Sequence, residues 1–313
     1  MQDLGFVIVT SGGLPEAYFL AVCLAFRAQR FAVVDIARPA TSRLRALSRL
    51  RRTRGAWYVI DLALARLLDA LLVPLYRRIA RPDAGAFSEV DAEVVHQIRT
   101  RYPHLDCSDA DAPEVPDFVR SFAPDYILLA GCPILKPTVY GLARRCALNR
   151  HLGALPGLRG SDCPLWAFAL GRPEWAGYSI HVVNERVDAG DVVLRRQVIA
   201  GEPSFQQYLR RLRREASDGF VEIIDRLLQG APLPRGPQSG GGRYCPPAGP
   251  GHACARAPRL PSPAARGTAP ANARTRVRPC ARRLRGCGAS PTRRRGRRRP
   301  GRPTCRSRNR CPR

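Results

Sequence analysis

The stretch Leu148–Val193 reads LNRHLGALPGLRGSDCPLWAFALGRPEWAGYSIHVVNERVDAGDVV. Asn149-x-His151 places an amide and an imidazole on one side of an extended segment, because strand side chains repeat every two residues. The run Gly-Ala-Leu-Pro-Gly-Leu-Arg-Gly that follows, residues 153–160, reads as a loop that continues neither helix nor strand. A second strand is expected from Tyr178 to Val183, leading into Asp188-Ala189-Gly190-Asp191. An acid, an amide donor and an imidazole brought together can stabilise an oxyanion and manage a proton.

Working outward, Phe6–Val9 is a continuous apolar run of the kind found in buried parallel strands. It ends at Thr10-Ser11-Gly12-Gly13, after which Leu14–Arg27 has helical spacing and Phe31–Asp35 is again apolar. Strand, glycine turn, helix and strand begin an open α/β sheet. The glycine turn is either a plain tight turn or a cradle for a phosphate at a helix start. Further along, Val90–Arg101 reads as helix, Asp106–Glu114 as an acidic loop, and Pro116–Phe122 as a helix entering the strand Tyr126–Ala130. Val192–Ile199 reads as a strand. Ser204-x-x-Gln207 forms a capping box for a last helix that runs to Gln229 and stops at Gly230.

Residues 41–80 look like an insertion. Six arginines crowd its first part, from Arg43 to Arg54, and Trp57–Tyr76 is apolar but interrupted by Asp61, Arg66, Asp69 and Pro74. Trp57, Ile60, Leu64, Leu67, Leu68 and Leu71 recur at helical spacing, which favours an amphipathic helix lying on the protein over a membrane span. A helix bound to a membrane surface or a partner is the alternative.

The formal net charge of +27 belongs to one end of the chain. Residues 237–313 hold 21 arginines with no lysine and no acidic residue, leaving 31 basic against 25 acidic residues elsewhere. The same segment has no Ile, Phe, Trp or Met, so it is expected to be disordered from about 233 onward. It reads either as an anionic-surface or nucleic-acid tail, or as the Arg/Pro/Ala-rich product of a GC-rich gene read out of frame. Cys23, Cys107, Cys132, Cys146 and Cys163 show no C-x-x-C pairing and read as reduced thiols. The N-terminus lacks a basic leader, so a cytoplasmic protein is expected.

The order of Asn149-x-His151, Leu155-Pro156, Arg159-Gly160, Trp166, Gly171, Gly177, Ser179-Ile180-His181 and Asp188-x-Gly190 resembles the folate-dependent formyltransferases. Upstream, Asp125-Tyr-Ile-Leu-Leu-Ala-Gly131-Cys-Pro-Ile-Leu135 is similar to the family strand whose end lines the folate pocket. The resemblance implies a three-layer, Rossmann-like α/β domain with a mostly parallel sheet over residues 1–232. It implies 10-formyltetrahydrofolate as formyl donor, held by Pro133, Ile134, Leu135, Asn184 and Val187, with no metal required. Asn149 and a protonated His151 would donate to the oxygen that gains charge, with Asp188 holding His151 charged and helping remove the amine proton.

Arg159 and Trp166 are candidates for contact with the acceptor, although a loop tryptophan is equally a packing anchor. His181 alternates with core residues and reads as structural, and Asp191 as a turn or cap residue. The implied reaction is formyl transfer to a primary amine, on an aminosugar or another small metabolite, with no specific nucleic-acid partner. The alternatives are a 10-formyltetrahydrofolate hydrolase, a methionyl-tRNA formyltransferase lacking its C-terminal domain, and a non-catalytic nucleic-acid-binding module. Leu14-Pro15 stands where glycinamide-ribonucleotide relatives carry a longer Gly/Ser/Asn signature, which counts against that substrate. The acceptor and the oligomeric state are left open.

Overall fold

The strands Gly5–Thr10, Arg30–Ile36 and Tyr126–Leu129 are apolar runs buried along nearly their whole length, as strands covered on both faces require. The computed structural model describes residues 2–37, 51–52, 55–57, 60, 63, 85–202, 204–240 and 242–246. In chain order the strands are β1 (Gly5–Thr10), β2 (Arg30–Ile36), β3 (His104–Cys107), β4 (Tyr126–Leu129), β5 (Cys146–His151), β6 (Leu158–Gly160), β7 (Gly177–Val182), β8 (Val192–Gln197) and β9 (Arg243–Cys245). The helices are α1 (Pro15–Phe26), α2 (Ala92–Arg101), α3 (Glu114–Phe122), α4 (Pro137–Tyr140), α5 (Cys163–Ala169) and α6 (Phe205–Leu228).

Seven strands form one sheet in the order β3-β2-β1-β4-β5-β7-β8. The first five pair in parallel, while β7 and β8 add antiparallel to β5. The order reverses direction between β1 and β4, the point at which open α/β sheets form a crevice beyond their strand ends. On one face, Val7, Val9, Ile127 and Leu129 pack with Val115 and Val119 of α3. A second core gathers Tyr178 of β7 with Tyr208, Leu212 and Ala216 of α6 and with Leu158, Cys163, Ala167 and Cys245. Ser204 caps α6, its side chain accepting from the Gln207 N–H at 3.3 Å, the first half of the expected capping box.

The glycine turn after β1 holds a protein carboxylate: Gly13 N–H donates to Asp35 Oδ1 at 3.1 Å. That bond favours the tight-turn reading, since this donor is already taken. Among the described residues, no helix is long and apolar enough to cross a membrane. The expected insertion at 41–80 lies outside the described residues apart from positions between 51 and 63. Trp57 and Ile60, expected on the buried face of its helix, are exposed.

The domain does not stop at residue 232. Residues 233–240 and 242–246 continue along its surface, with Gly236 bridging Val192 and β9 pairing in parallel with β6. Cys245 is 1% exposed. The segment was unreadable as structure because its strand is only three residues long and sits among Gly and Pro. The same holds for β6, which falls inside the expected loop at 153–160. The tail from 247 onward lies outside the described residues.

Candidate active site

The site forms where β5 and β7 run side by side. Their antiparallel register sets Asn149 opposite His181 and His151 opposite Ser179. Alternation along β5 sends Arg150 to the other face, where its guanidinium donates to Ser217 Oγ at 2.9 Å and lies 3.7 Å from Glu16. Asp188 arrives from the turn after β7. Gly190 allows that turn to lie against the strand, since a Cβ there would be 1.8 Å from the Val182 carbonyl oxygen.

Asp188 is the centre of the cluster. Its Oδ1 accepts from Asn149 Nδ2 at 3.2 Å and lies 3.3 Å from His181 Nε2. Its Oδ2 accepts from the Gly160 N–H at 2.8 Å and lies 3.4 Å from His151 Nδ1. Asn149 Nδ2 is also 3.0 Å from His181 Nε2. The remaining His151 nitrogen, Nε2, is 3.0 Å from the Leu158 carbonyl oxygen. The Asp188 oxygens, the Asn149 amide nitrogen and the ring nitrogens of His151 and His181 thus all have partners within the protein.

Burial pushes the Asp188 carboxyl up, but the His181 hydrogen bond, the His151 imidazole and the Gly160 N–H outweigh it and hold it at about 2. Burial pushes the His151 imidazole below its ordinary range, and the Asp188 carboxylate and the Leu158 carbonyl only partly counter this. Both ring nitrogens face acceptors, the Leu158 carbonyl and the Asp188 carboxylate, so the two partners favour the proton that burial disfavours. The Leu158 carbonyl can only accept, so Nε2 carries a proton in that contact, and Nδ1 is the nitrogen that faces Asp188.

These groups open on a cavity of about 550 Å³ whose lining includes Pro133, Ile134, Leu135, Asn184 and Val187. Ile134 is 74% exposed and Val187 is half-exposed, so the cavity carries uncovered apolar surface that a flat heteroaromatic ring would cover. Burial pushes the Cys132 thiol, also in the lining, up to about 12, which removes it as a nucleophile at neutral pH.

Two expected acceptor contacts are turned elsewhere. Arg159 Nη2 donates to Gln238 Oε1 at 3.1 Å, and Trp166 Nε1 donates to the Pro246 carbonyl at 2.9 Å. Neither lines the cavity. His181, read as structural, is buried as expected but also belongs to the cluster. Only the pairing of β7 with β5 reveals that. Gln238 and Tyr244 were missed because no motif covers them.

Away from this cavity, Asp35, His104 and Asp106 offer ligand atoms within 4.8 Å of one another. Arg99 pairs with both carboxylates there, 3.8 Å from Asp35, so a cation is already supplied by the protein.

An open, mostly parallel α/β sheet with a buried amide–imidazole–carboxylate cluster at its crevice defines a Rossmann-like domain with a candidate active site. Residues 83–224 match the formyl transferase family, and the chain is similar to folate-dependent formyltransferases over this stretch. A methionyl-tRNA formyltransferase from Chlorobium chlorochromatii is 29% identical over 47% of this chain and 48% of its own. A GDP-perosamine N-formyltransferase from Brucella melitensis is 29% identical over 43% and 52% respectively. A solved glycinamide ribonucleotide transformylase from Symbiobacterium toebii aligns over 76% of this chain and 95% of its own at 16% identity, with a TM-score of 0.48. The chain spans about half the length of the first two relatives.

Proposed function

We propose that this protein transfers a formyl group from 10-formyltetrahydrofolate to the primary amine of a small metabolite, an aminosugar in particular. The observation that carries the proposal is the convergence of Asn149, His151 and Asp188 on one cavity with an uncovered apolar wall. The donor supplies a formyl group activated on nitrogen. Pro133, Ile134, Leu135 and Val187 would cover its ring, with Asn184 at the edge. The similarity to a GDP-perosamine N-formyltransferase supports the aminosugar class.

Asn149 donates to the formyl oxygen as negative charge builds there, exchanging one of its resting bonds for the stronger one to a charged acceptor. Neutral His151 takes the proton leaving the attacking amine at Nδ1. The new imidazolium then lies beside Asp188 Oδ2, whose negative charge stabilises it, and it returns the proton to the donor's N10 as the formyl C–N10 bond breaks and tetrahydrofolate leaves. With its carboxyl held at about 2, Asp188 is too weak a base to take the proton itself at neutral pH.

The test is to supply purified full chain with 10-formyltetrahydrofolate, with and without a panel of amines, and to follow tetrahydrofolate and formate. Tetrahydrofolate should appear quickly only with an amine present. Rapid formate release without amine would instead identify a hydrolase.

A further inference from the structure

The two residues expected to touch the acceptor both hold the segment Gly236–Pro246, which lies beyond the stretch that matches the family. Arg159 holds it through Gln238, and Trp166 through the Pro246 carbonyl. Gln238 Nε2 in turn donates to the Asp188 and Gly190 carbonyls at 2.9 and 2.7 Å. β9 pairs with β6, and Cys245 is buried in the core that also holds Leu158 and Cys163. The segment is thereby fixed at both ends against the elements that carry the site.

Tyr244 is the side chain this segment contributes to the cavity lining, and it is 58% exposed. Its ring lies over Gly160: a Cβ built there would be 3.0 Å from Tyr244 Cε2 and 2.3 Å from the Cys245 carbonyl oxygen. Gly160 N–H is itself bonded to Asp188 Oδ2. Ring, Gly160 and carboxylate form one chain of contacts, so a substituent on an amine held at Asp188 meets the tyrosine.

We infer that Tyr244 is a specificity-determining residue that packs against the ring of a cyclic amine acceptor, an aminosugar. This rests on the formyltransferase reading above. A sugar ring suits the place chemically. Its C–H bonds are polarised by ring and hydroxyl oxygens and meet the negative face of an aromatic ring. Its hydroxyls find polar partners in Ser161 and Arg186, which also line the cavity.

The experiment uses the full chain as wild type, Tyr244→Ala, Tyr244→Leu and Tyr244→Phe. Each is assayed at saturating 10-formyltetrahydrofolate against a panel of nucleotide-linked 4-amino-4-deoxysugars, GDP-perosamine among them, and against methionyl-tRNA. Tetrahydrofolate binding is measured separately by calorimetry. Loss of the aromatic face in the Ala and Leu variants should raise the amino-sugar KM about tenfold. The kcat should stay within a few-fold, the tetrahydrofolate Kd should be unchanged, and Tyr244→Phe should behave as wild type. An unchanged amino-sugar KM in the Leu variant, which keeps the apolar bulk, overturns the inference while leaving formyl transfer intact. Weakened tetrahydrofolate binding in that variant also overturns it, by moving the residue to the donor side. Turnover of methionyl-tRNA but no amino sugar overturns the acceptor class. A wild-type protein that formylates no amine overturns the underlying reading, and the inference with it.

Discussion

Asp188 has a φ of 49°, in the left-handed region that few residues other than glycine enter. An aspartate tolerates it, and here the conformation is held from both sides by Gly160 N–H on the side chain and Gln238 on the carbonyl. Its function at that position is electrostatic. The carboxylate raises the proton affinity of His151 against burial, so removing it should move the histidine further in the direction burial already takes it. The acid limb of kcat, where a protonated His151 can no longer accept from the amine, should lie below the ordinary imidazole value of about 6.5. Asp188→Asn should shift that limb to still lower pH and reduce kcat at neutral pH about a hundredfold, a loss similar to that of an oxyanion donor. A pH–rate profile of both proteins checks this, and an unmoved limb would separate Asp188 from His151. Stability follows the same sign. The carboxyl is held at about 2 against an ordinary 3.8, so its contribution is complete above about pH 4 and is lost as pH falls toward 2.

At the scale of elements, the strand that carries Asn149 and His151 is anchored through the residue between them. Arg150 is buried, and on the face opposite the cavity it reaches Ser217 of α6 and the fully buried Glu16 of α1. Arg213 of α6 also pairs with Glu16 at 2.8 Å. One carboxylate thus joins α1, β5 and α6. Its worth lies in the penalty for breaking it, because a buried guanidinium left without a counter-charge has little water to replace it. Glu16→Ala should destabilise the protein by about 3–5 kcal/mol in urea unfolding. A change under about 1 kcal/mol would show Arg150 sufficiently served by Ser217 and the Arg213 carbonyl. The elements themselves were legible where pattern was strong. β1, α1, β2, α2, α3, β4, β7, β8 and α6 fall within a few residues of their expected bounds, and β5 is the extended segment expected around Asn149 and His151. β3, β6, α5 and β9 were not, being four, three, seven and three residues long and too short to show a period.

For the whole molecule, the consequence is a boundary. We place the end of the catalytic domain beyond residue 232, with the segment through Pro246 inside it, because Gln238, Tyr244 and Cys245 all join the site or its core. A chain ending at Pro246 should melt in the same cooperative transition as the full protein and keep its kcat and KM. A chain ending at Pro232 exposes the Cys245 side of that core and frees the Asp188 turn. It should lose several degrees in Tm and most of its activity. Equal behaviour of the two truncations would return the boundary to 232.

What the sequence by itself determined is everything governed by local periodicity and fixed spacing. The apolar runs of β1, β2 and β4 required a doubly covered sheet, and Asn149-x-His151 with Asp188-x-Gly190 marked the cluster before its geometry was known. Such features repeat along the chain within reach of one another, so they can be read without coordinates. The tertiary structure alone decided the rest. His181 joins the cluster through the register between two strands some thirty residues apart, and no residue near it announces that register. Burial, a property of the whole packed core, lowers the proton affinity of His151. Arg159 and Trp166 were drawn from the acceptor to Gln238 and Pro246, partners about eighty residues away. That segment carries no periodic signal, and only the groove it fills gives it a structure.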